Sequence, residues 1–308
     1  MDDTNQEIVR RFGNNKILNI FFIVAFSVIF LYYTLSAPIY NVSVANRQGV
    51  VVHIAKGEAL ALIANDLESK NIIRQTTALK FFVYLFGGGN STKKGDYLFT
   101  KKMPVWSVAW MLVRGHHNID PLKITLKEGL TNEEMANALA DKLSVFRRDL
   151  FISDKKSKQG YLFPDTYFFF SMTTADEIVD ELSANFEERI TPFRTDIANS
   201  GHSESDIIKM ASLIQKEAAG QSDAPVISGI LWKRIKNGMP LQVDADKSTY
   251  VSTGLPSRPI GNPGLMAIKA ALYPEDSAYF YYLHDKSGTV HYAKTFREHK
   301  INITKYLK

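Results

Sequence analysis

The chain has no cysteine in 308 residues. That excludes a disulfide framework, a thiolate metal site and a thiol nucleophile, and leaves packed cores to supply stability. Lysine and arginine never run longer than a pair, so the formal charge of +5 is spread too thinly to mark a nucleic-acid interface. Cofactor signatures are missing as well: Gly87-Gly-Gly-Asn90 has no lysine and hydroxyl residue at Walker spacing, so it is not a phosphate loop. The seven histidines, His53, His116, His117, His202, His284, His291 and His299, form no i, i+4 pair with a glutamate base. Zinc hydrolysis therefore has no support, and neither a metal nor a cofactor is expected.

Long apolar runs are scarce, with one exception. Ile17 to Leu35 reads ILNIFFIVAFSVIFLYYTL without a charge, about 19 residues or about 29 Å of helix, enough for one bilayer crossing. Arg10, Arg11 and Lys16 precede it and Arg47 is the first cation after it, which puts the N-terminus in the cytoplasm. Tyr32, Tyr33 and Tyr40 suit the outer interface. The rival is a cleaved signal peptide with Ser43-Val-Ala45 at the cleavage site, although its apolar region is normally shorter. The expectation is a single-pass membrane protein with everything after about Ser36 extracytoplasmic. An external basic domain suits an anionic wall polymer or lipid headgroups better than nucleic acid.

Hydrophobic residues at 45% and charged residues at 22% describe a folded chain, long enough for two domains. A short repeat comes after the span. Val52-His-Ile-Ala-Lys-Gly57 leads to Leu60-Ala-Leu-Ile-Ala-Asn-Asp-Leu67, and Ile124-Thr-Leu-Lys-Glu-Gly129 leads to Asn132-Glu-Glu-Met-Ala-Asn-Ala-Leu139. Each copy alternates, turns at glycine and takes up helical spacing, which predicts strand, turn and helix. Between the copies, Thr77 to Phe86 reads as helix and Gly95 to Thr100 as strand. A domain boundary is expected near residue 145, before the polar stretch Ser153 to Gln159 and the aromatic block Gly160 to Phe170, which reads as core rather than as a sugar-stacking platform. Helices are predicted over Ala175 to Arg189, Ser205 to Ala218 and Ala224 to Asn237, ahead of a proline- and glycine-rich stretch from Gly238 to Gly264. Strands at Tyr279 to Leu283 and Thr289 to Ala293 flank a turn at Asp285-Lys-Ser-Gly288, and Thr295-Phe-Arg-Glu298 opens a last helix as a capping box.

One carboxylate is oddly placed. In Asp206-Ile-Ile-Lys-Met-Ala-Ser-Leu-Ile-Gln-Lys-Glu-Ala-Ala-Gly220, residues Ile207, Met210, Ala211, Leu213, Ile214 and Ala218 share one face at 100° per residue, and Glu217 falls within their arc. Burial disfavours its ionised form, so its pKa is expected to rise into the range of a general acid. From geometry alone, a structural glutamate paired with a lysine stays open. Ser153-x-x-Lys156, Ser183-x-Asn185 and Lys286-Ser-Gly288 imitate the motifs of penicillin-recognising serine enzymes, but Ser153 sits in a polar stretch and Lys286-Ser-Gly288 is a hairpin turn.

Five motifs occur in order: Gly160-x-Leu-Phe-Pro-Asp-Thr-Tyr167, Ala211-Ser-Leu-Ile-Gln-Lys-Glu217, Lys233-Arg-Ile-Lys-Asn-Gly-Met-Pro-Leu-Gln-Val-Asp244, Gly254-Leu-Pro-x-x-Pro-Ile-x-Asn-Pro-Gly264, and His291 through Glu298-His299. Together they resemble the MltG (YceG-like) endolytic murein transglycosylase family. The resemblance implies an α+β protein comprising a cytoplasmic tail (1–16), a transmembrane helix (17–35), a linker (36–47), a small LysM-like α+β subdomain (48–145) and a mixed α/β catalytic domain (146–308). It implies Glu217 as the catalytic residue, since Gln215 replaces the first carboxylate of the family's pattern, and it places Gln242, Asp244, Tyr250 and Asn262 in segments that shape a glycan cleft. The implied partners are peptidoglycan strands, peptidoglycan synthases and the division or elongation machinery. One departure is a shortened loop, with Ala245-Asp-Lys-Ser248 where the family carries a longer insertion.

The implied reaction needs one carboxyl group. Glu217 protonates the oxygen between MurNAc and GlcNAc, then takes the proton from the C6 hydroxyl as it attacks C1, leaving a 1,6-anhydro end. The rival readings are a hydrolase that uses Asp244 or Asp246 as a second carboxylate, and a non-catalytic wall-binding scaffold.

Overall fold

The computed structural model describes residues 20–28, 49–100, 103–153, 158–217 and 223–307. Residues 20–28 are helical. The rest of the apolar run Ile17–Leu35, the tail before it and the linker to residue 47 lie outside the described residues, among which no helix is long and apolar enough to cross a membrane.

The chain forms two compact units, Met1–Asp120 and Pro121–Lys308. In the first, β1 (Val50–Ile54) is succeeded by α1 (Leu60–Ser69), α2 (Thr76–Phe86), β2 (Gly95–Phe99) and α3 (Val105–Arg114). Strands β1 and β2 pair antiparallel with Val52 opposite Tyr97. Alternation turns Val52 and Ile54 inward, onto Leu67, Leu79, Val83, Phe99 and Leu112, all buried. Asp96 is buried on β2, where it is bonded to His53 Nδ1 at 2.6 Å.

The second unit opens with β3 (Leu122–Thr125), α4 (Asn132–Ala140) and α5 (Arg148–Ser153), then β4 (Thr166–Phe169) and α6 (Ala175–Ile190). β3 and β4 pair antiparallel with Ile124 opposite Tyr167. Thr131 and Thr174 start α4 and α6 with full capping boxes, each hydroxyl accepting the N–H three residues on. Leu162, Tyr167 and Phe169 join Met135, Phe151 and Leu182 in a core, so the aromatic block packs inward apart from the exposed Phe168.

Both repeat copies fold as strand, turn and helix, with Gly57 and Gly129 in the left-handed region at φ 76° and 80°. They belong to different units, however, because the second strand pairs with β4 instead of continuing the first sheet. The compact units part at Asp120–Pro121, where the hydrogen bonds of β3 and the core contacts of α4 bind residues 121–145 to β4 and α6.

The remainder comprises α7 (Arg194–Asn199), α8 (Glu204–Glu217), α9 (Ala224–Lys236), α10 (Leu265–Leu272), the hairpin β5 (Tyr281–His284) and β6 (Val290–Ala293), and α11 (Phe296–Tyr306). Helix α8 is the hub. Ile207, Ile208, Met210, Leu213 and Ile214 are fully buried among Ile227, Leu231, Leu241, Val243 and Ile268. At about 1.5–3 kcal/mol per buried aliphatic side chain, this face fixes the helix and whatever its ends carry. Helices with small antiparallel sheets at their margins make this an α+β fold, as expected.

Candidate active site

Glu217 closes α8, half-buried, with both carboxylate oxygens engaged. Oε1 accepts the backbone N–H of Asp244 at 3.2 Å and Oε2 accepts the hydroxyl of Tyr282 at 3.0 Å. Burial raises its pKa above the ordinary carboxylate value. The bonds from Tyr282 and Asp244 and the nearby His284 pull the other way without cancelling the rise. The direction is the one expected from the helix spacing, and no lysine bonds to it among the described residues.

The first donor sits on a loop built by alternation. Leu241 and Val243 are buried while Gln242 and Asp244 between and after them are exposed. Gln242 adopts φ 53°, and its N–H donates to the carbonyl of Thr249 at 3.0 Å. Thr249 is buried, and its hydroxyl accepts from Val243 N at 2.8 Å and donates to Asp246 O at 2.6 Å. The shortened segment Ala245–Ser248 is thus a tight turn, with Asp246 capping Ser248 N at 3.0 Å. The carboxylate of Asp244 has partners of its own: its Oδ1 accepts from Tyr250 Oη at 2.6 Å and Lys247 Nζ at 3.1 Å. Those bonds hold Asp244 below its usual pKa, and the same carboxylate pushes the Tyr250 phenol up to about 12.

Three of the four expected cleft residues, Gln242, Asp244 and Tyr250, are therefore exposed on the loop that touches Glu217. Asn262 is a correction. It is fully buried, its Oδ1 accepts from Gly160 N at 2.8 Å and Leu162 N at 3.1 Å, and its Nδ2 donates to Leu130 O at 3.0 Å and Asn132 Oδ1 at 2.9 Å. A side chain so enclosed braces the segments around it and has no face for a glycan. Gly261 next to it allows the close approach, since a Cβ there would lie 2.5 Å from the carbonyl oxygen of Gly129.

The sequence reading misses Tyr282 and Arg234. Arg234 is buried on α9; its Nε donates to Phe280 O at 2.8 Å and its Nη1 to Leu241 O at 2.6 Å. It joins the segment that ends in Tyr282 to the segment that ends in Asp244, and so fixes both donors to Glu217. Burial lowers the pKa of Arg234, but two carbonyl acceptors satisfy its charge. Burial, then the charge of Glu217, raise the Tyr282 phenol far above its usual value, so it remains a donor. His284, two residues on, bonds through Nε2 to Asp223 Oδ2 at 3.0 Å. The only available signal was position: Tyr282 lies in a strand, and Arg234 falls in a motif that reads as the basic end of a helix.

Gln215 and Ser212 have structural partners. Gln215 Oε1 accepts from Gly264 N at 2.9 Å, and Ser212 Oγ accepts from Ile260 N at 3.1 Å, which secures the proline-rich loop to α8. Of the serine-enzyme imitation, Ser153 donates to its own helix at Leu150 O, and Lys286–Gly288 forms the hairpin turn around Asp285; Lys156 lies outside the described residues. A cavity of about 980 Å³ lies beside the active-site loop, with Tyr161, Lys209, Ala245, Asp246, Ser248 and Arg258 among its walls; Glu217 is not one of them.

A single half-buried carboxyl with a raised pKa, fixed by two donors and bordered by exposed polar groups, is a candidate for acid–base chemistry. The chain belongs to the YceG-like family, whose model matches residues 52–247 and 248–305. It is 26% identical to the endolytic murein transglycosylase of Bacillus subtilis (strain 168), over 85% of this chain and 86% of that protein. The protein of the same description from Streptococcus pneumoniae D39 is 22% identical over 85% of this chain, which spans 59% of its length. A crystal structure of a YceG-like protein from Listeria monocytogenes shares the fold, with TM-score 0.53 and 24% identity over 83% of this chain and 99% of that one.

Proposed function

We propose that this chain is an endolytic lytic transglycosylase that cuts peptidoglycan between MurNAc and GlcNAc and leaves 1,6-anhydro-MurNAc ends, with Glu217 as its single acid and base. The observation that carries this reading is the Glu217 carboxyl, with burial raising its pKa and two neutral donors holding its oxygens. Protonated, it gives its proton to the glycosidic oxygen. As a carboxylate, stabilised by Tyr282 and Asp244 N–H, it takes the proton of the C6 hydroxyl as that oxygen closes on C1. Asp244 is a poor second catalyst, because Tyr250 and Lys247 hold its carboxylate and Glu217 is bonded to its backbone instead. Gln242 and Tyr250 line the glycan path from the loop, and the adjoining cavity offers room for the strand beyond the cut. The activity named for the Bacillus and Streptococcus relatives supports the substrate class.

The apolar run Ile17–Leu35 anchors the enzyme, N-terminus inside, and the elements from β1 at Val50 onward take the LysM-like place in the resemblance. Mass spectrometry of uncrosslinked glycan strands digested by the detergent-solubilised full chain tests the reaction. Anhydro-muropeptides are expected; reducing ends alone would make the protein a hydrolase.

A further inference from the structure

The first unit exposes an apolar face that its own core does not need. On α2, Phe81, Tyr84 and Leu85 stand 61%, 64% and 64% exposed at i, i+3 and i+4, opposite the buried Leu79 and Val83. On α3, Trp106 and Trp110 are 42% and 39% exposed, one turn apart. The two helices meet where the half-buried Phe86 ring packs edge-on against Trp110 at 5.3 Å. Arg114 lies over Trp110, 4.5 Å from its ring centre.

The charge around this face has one sign. Among the described residues from Thr76 to Arg114, Lys80, Lys93, Lys94 and Arg114 stand against a single acid, Asp96, which is buried and bonded to His53. Aromatic rings beside an excess of lysine and arginine match the boundary between acyl chains and anionic headgroups. The chain also keeps a bilayer within reach, since the roughly 14 residues between Leu35 and Val50 extend at most about 50 Å.

We propose that this α2–α3 face docks on the anionic surface of the bilayer in which the chain is anchored. The proposal rests on the anchor read from Ile17–Leu35. The test uses the full chain carrying Trp232→Phe, which leaves Trp106 and Trp110 as its only indoles. It is reconstituted in phosphatidylcholine vesicles with or without phosphatidylglycerol, containing brominated or ordinary acyl chains. At least a twofold loss of tryptophan emission is expected in brominated anionic vesicles, with less in neutral ones, and recovery on Phe81→Ser with Leu85→Ser at unchanged circular dichroism. Flotation is read in parallel. A chain that floats with the vesicles but keeps its emission overturns the docking and leaves the anchor standing. A chain that does not float overturns the anchor and the docking with it. Emission that responds to added glycan strands and not to bromolipid gives the face to the wall polymer and also overturns the proposal.

Discussion

The hydroxyl of Tyr282 donates to Glu217 Oε2 at 3.0 Å, from a strand that shares no loop with the helix bearing the acid. Burial favours the protonated carboxyl and this bond favours the carboxylate, with burial prevailing. The reaction sequence proposed for Glu217 uses both forms, so the bond belongs to catalysis as much as to folding.

Tyr282→Phe should lower kcat/KM roughly 10- to 100-fold, the value of a lost hydrogen bond to a developing charge of about 1.5–3 kcal/mol. The same bond lowers the Glu217 pKa, so its loss raises that pKa further. Because the first step needs protonated Glu217, activity falls as pH rises through this pKa, and the alkaline limb of the variant's pH profile should move to higher pH. A profile of kcat/KM against pH for both proteins measures this.

Glu217→Gln should stabilise the fold at neutral pH. A carboxyl whose pKa is higher folded than unfolded binds more protons in the native state, so its contribution is complete below the unfolded pKa and is lost as pH rises through the folded one. Glutamine does not titrate. Thermal melting should give the variant the higher Tm near pH 7 and a shrinking advantage toward acid pH.

Arg234→Met should cost about 3 kcal/mol, because Phe280 O and Leu241 O both lose a charged donor inside the core. Urea unfolding measures that loss. In the folded fraction kcat should drop more than KM rises, since the variant loosens both segments that hold Glu217.

Asn262→Ala should destabilise by about 2–4 kcal/mol, as the N–H groups of Gly160 and Leu162 lose their acceptor in a buried site. Glycan KM measured below the melting transition should stay unchanged. A raised KM with normal stability would make Asn262 a cleft residue after all.

Much of this architecture is legible in the sequence where period and punctuation agree. The α8 spacing singles out Glu217, both repeat copies show their glycine turns, and Asp285-Lys-Ser-Gly288 gives a hairpin with Gly288 at φ 82°. Helix α3 goes unread although Val105, Val108, Ala109 and Leu112 recur at helical spacing on its buried face, because the exposed Trp106 and Trp110 opposite them are apolar too. Helix α10, LMAIKAAL, is short and comes after a loop rich in proline and glycine. The early unit boundary depends on β3 pairing with β4 across about 40 residues, which no local pattern encodes. For the site, spacing reveals which carboxyl is buried but not its donors, since Tyr282, Asp244 N–H and Arg234 converge only through tertiary packing. Asn262 misleads for the same reason: an asparagine amid prolines and glycines looks like a cleft residue until its buried hydrogen bonds are traced.

The most direct measurement compares wild type with Glu217→Gln on uncrosslinked glycan strands, scoring released anhydro-muropeptides by mass spectrometry, with circular dichroism to verify the fold. The wild type should produce 1,6-anhydro ends, and the folded variant should lose at least about a thousandfold in rate, since acid and base go together. Anhydro products at the wild-type rate from Glu217→Gln would contradict the assignment of Glu217 as the acid and base.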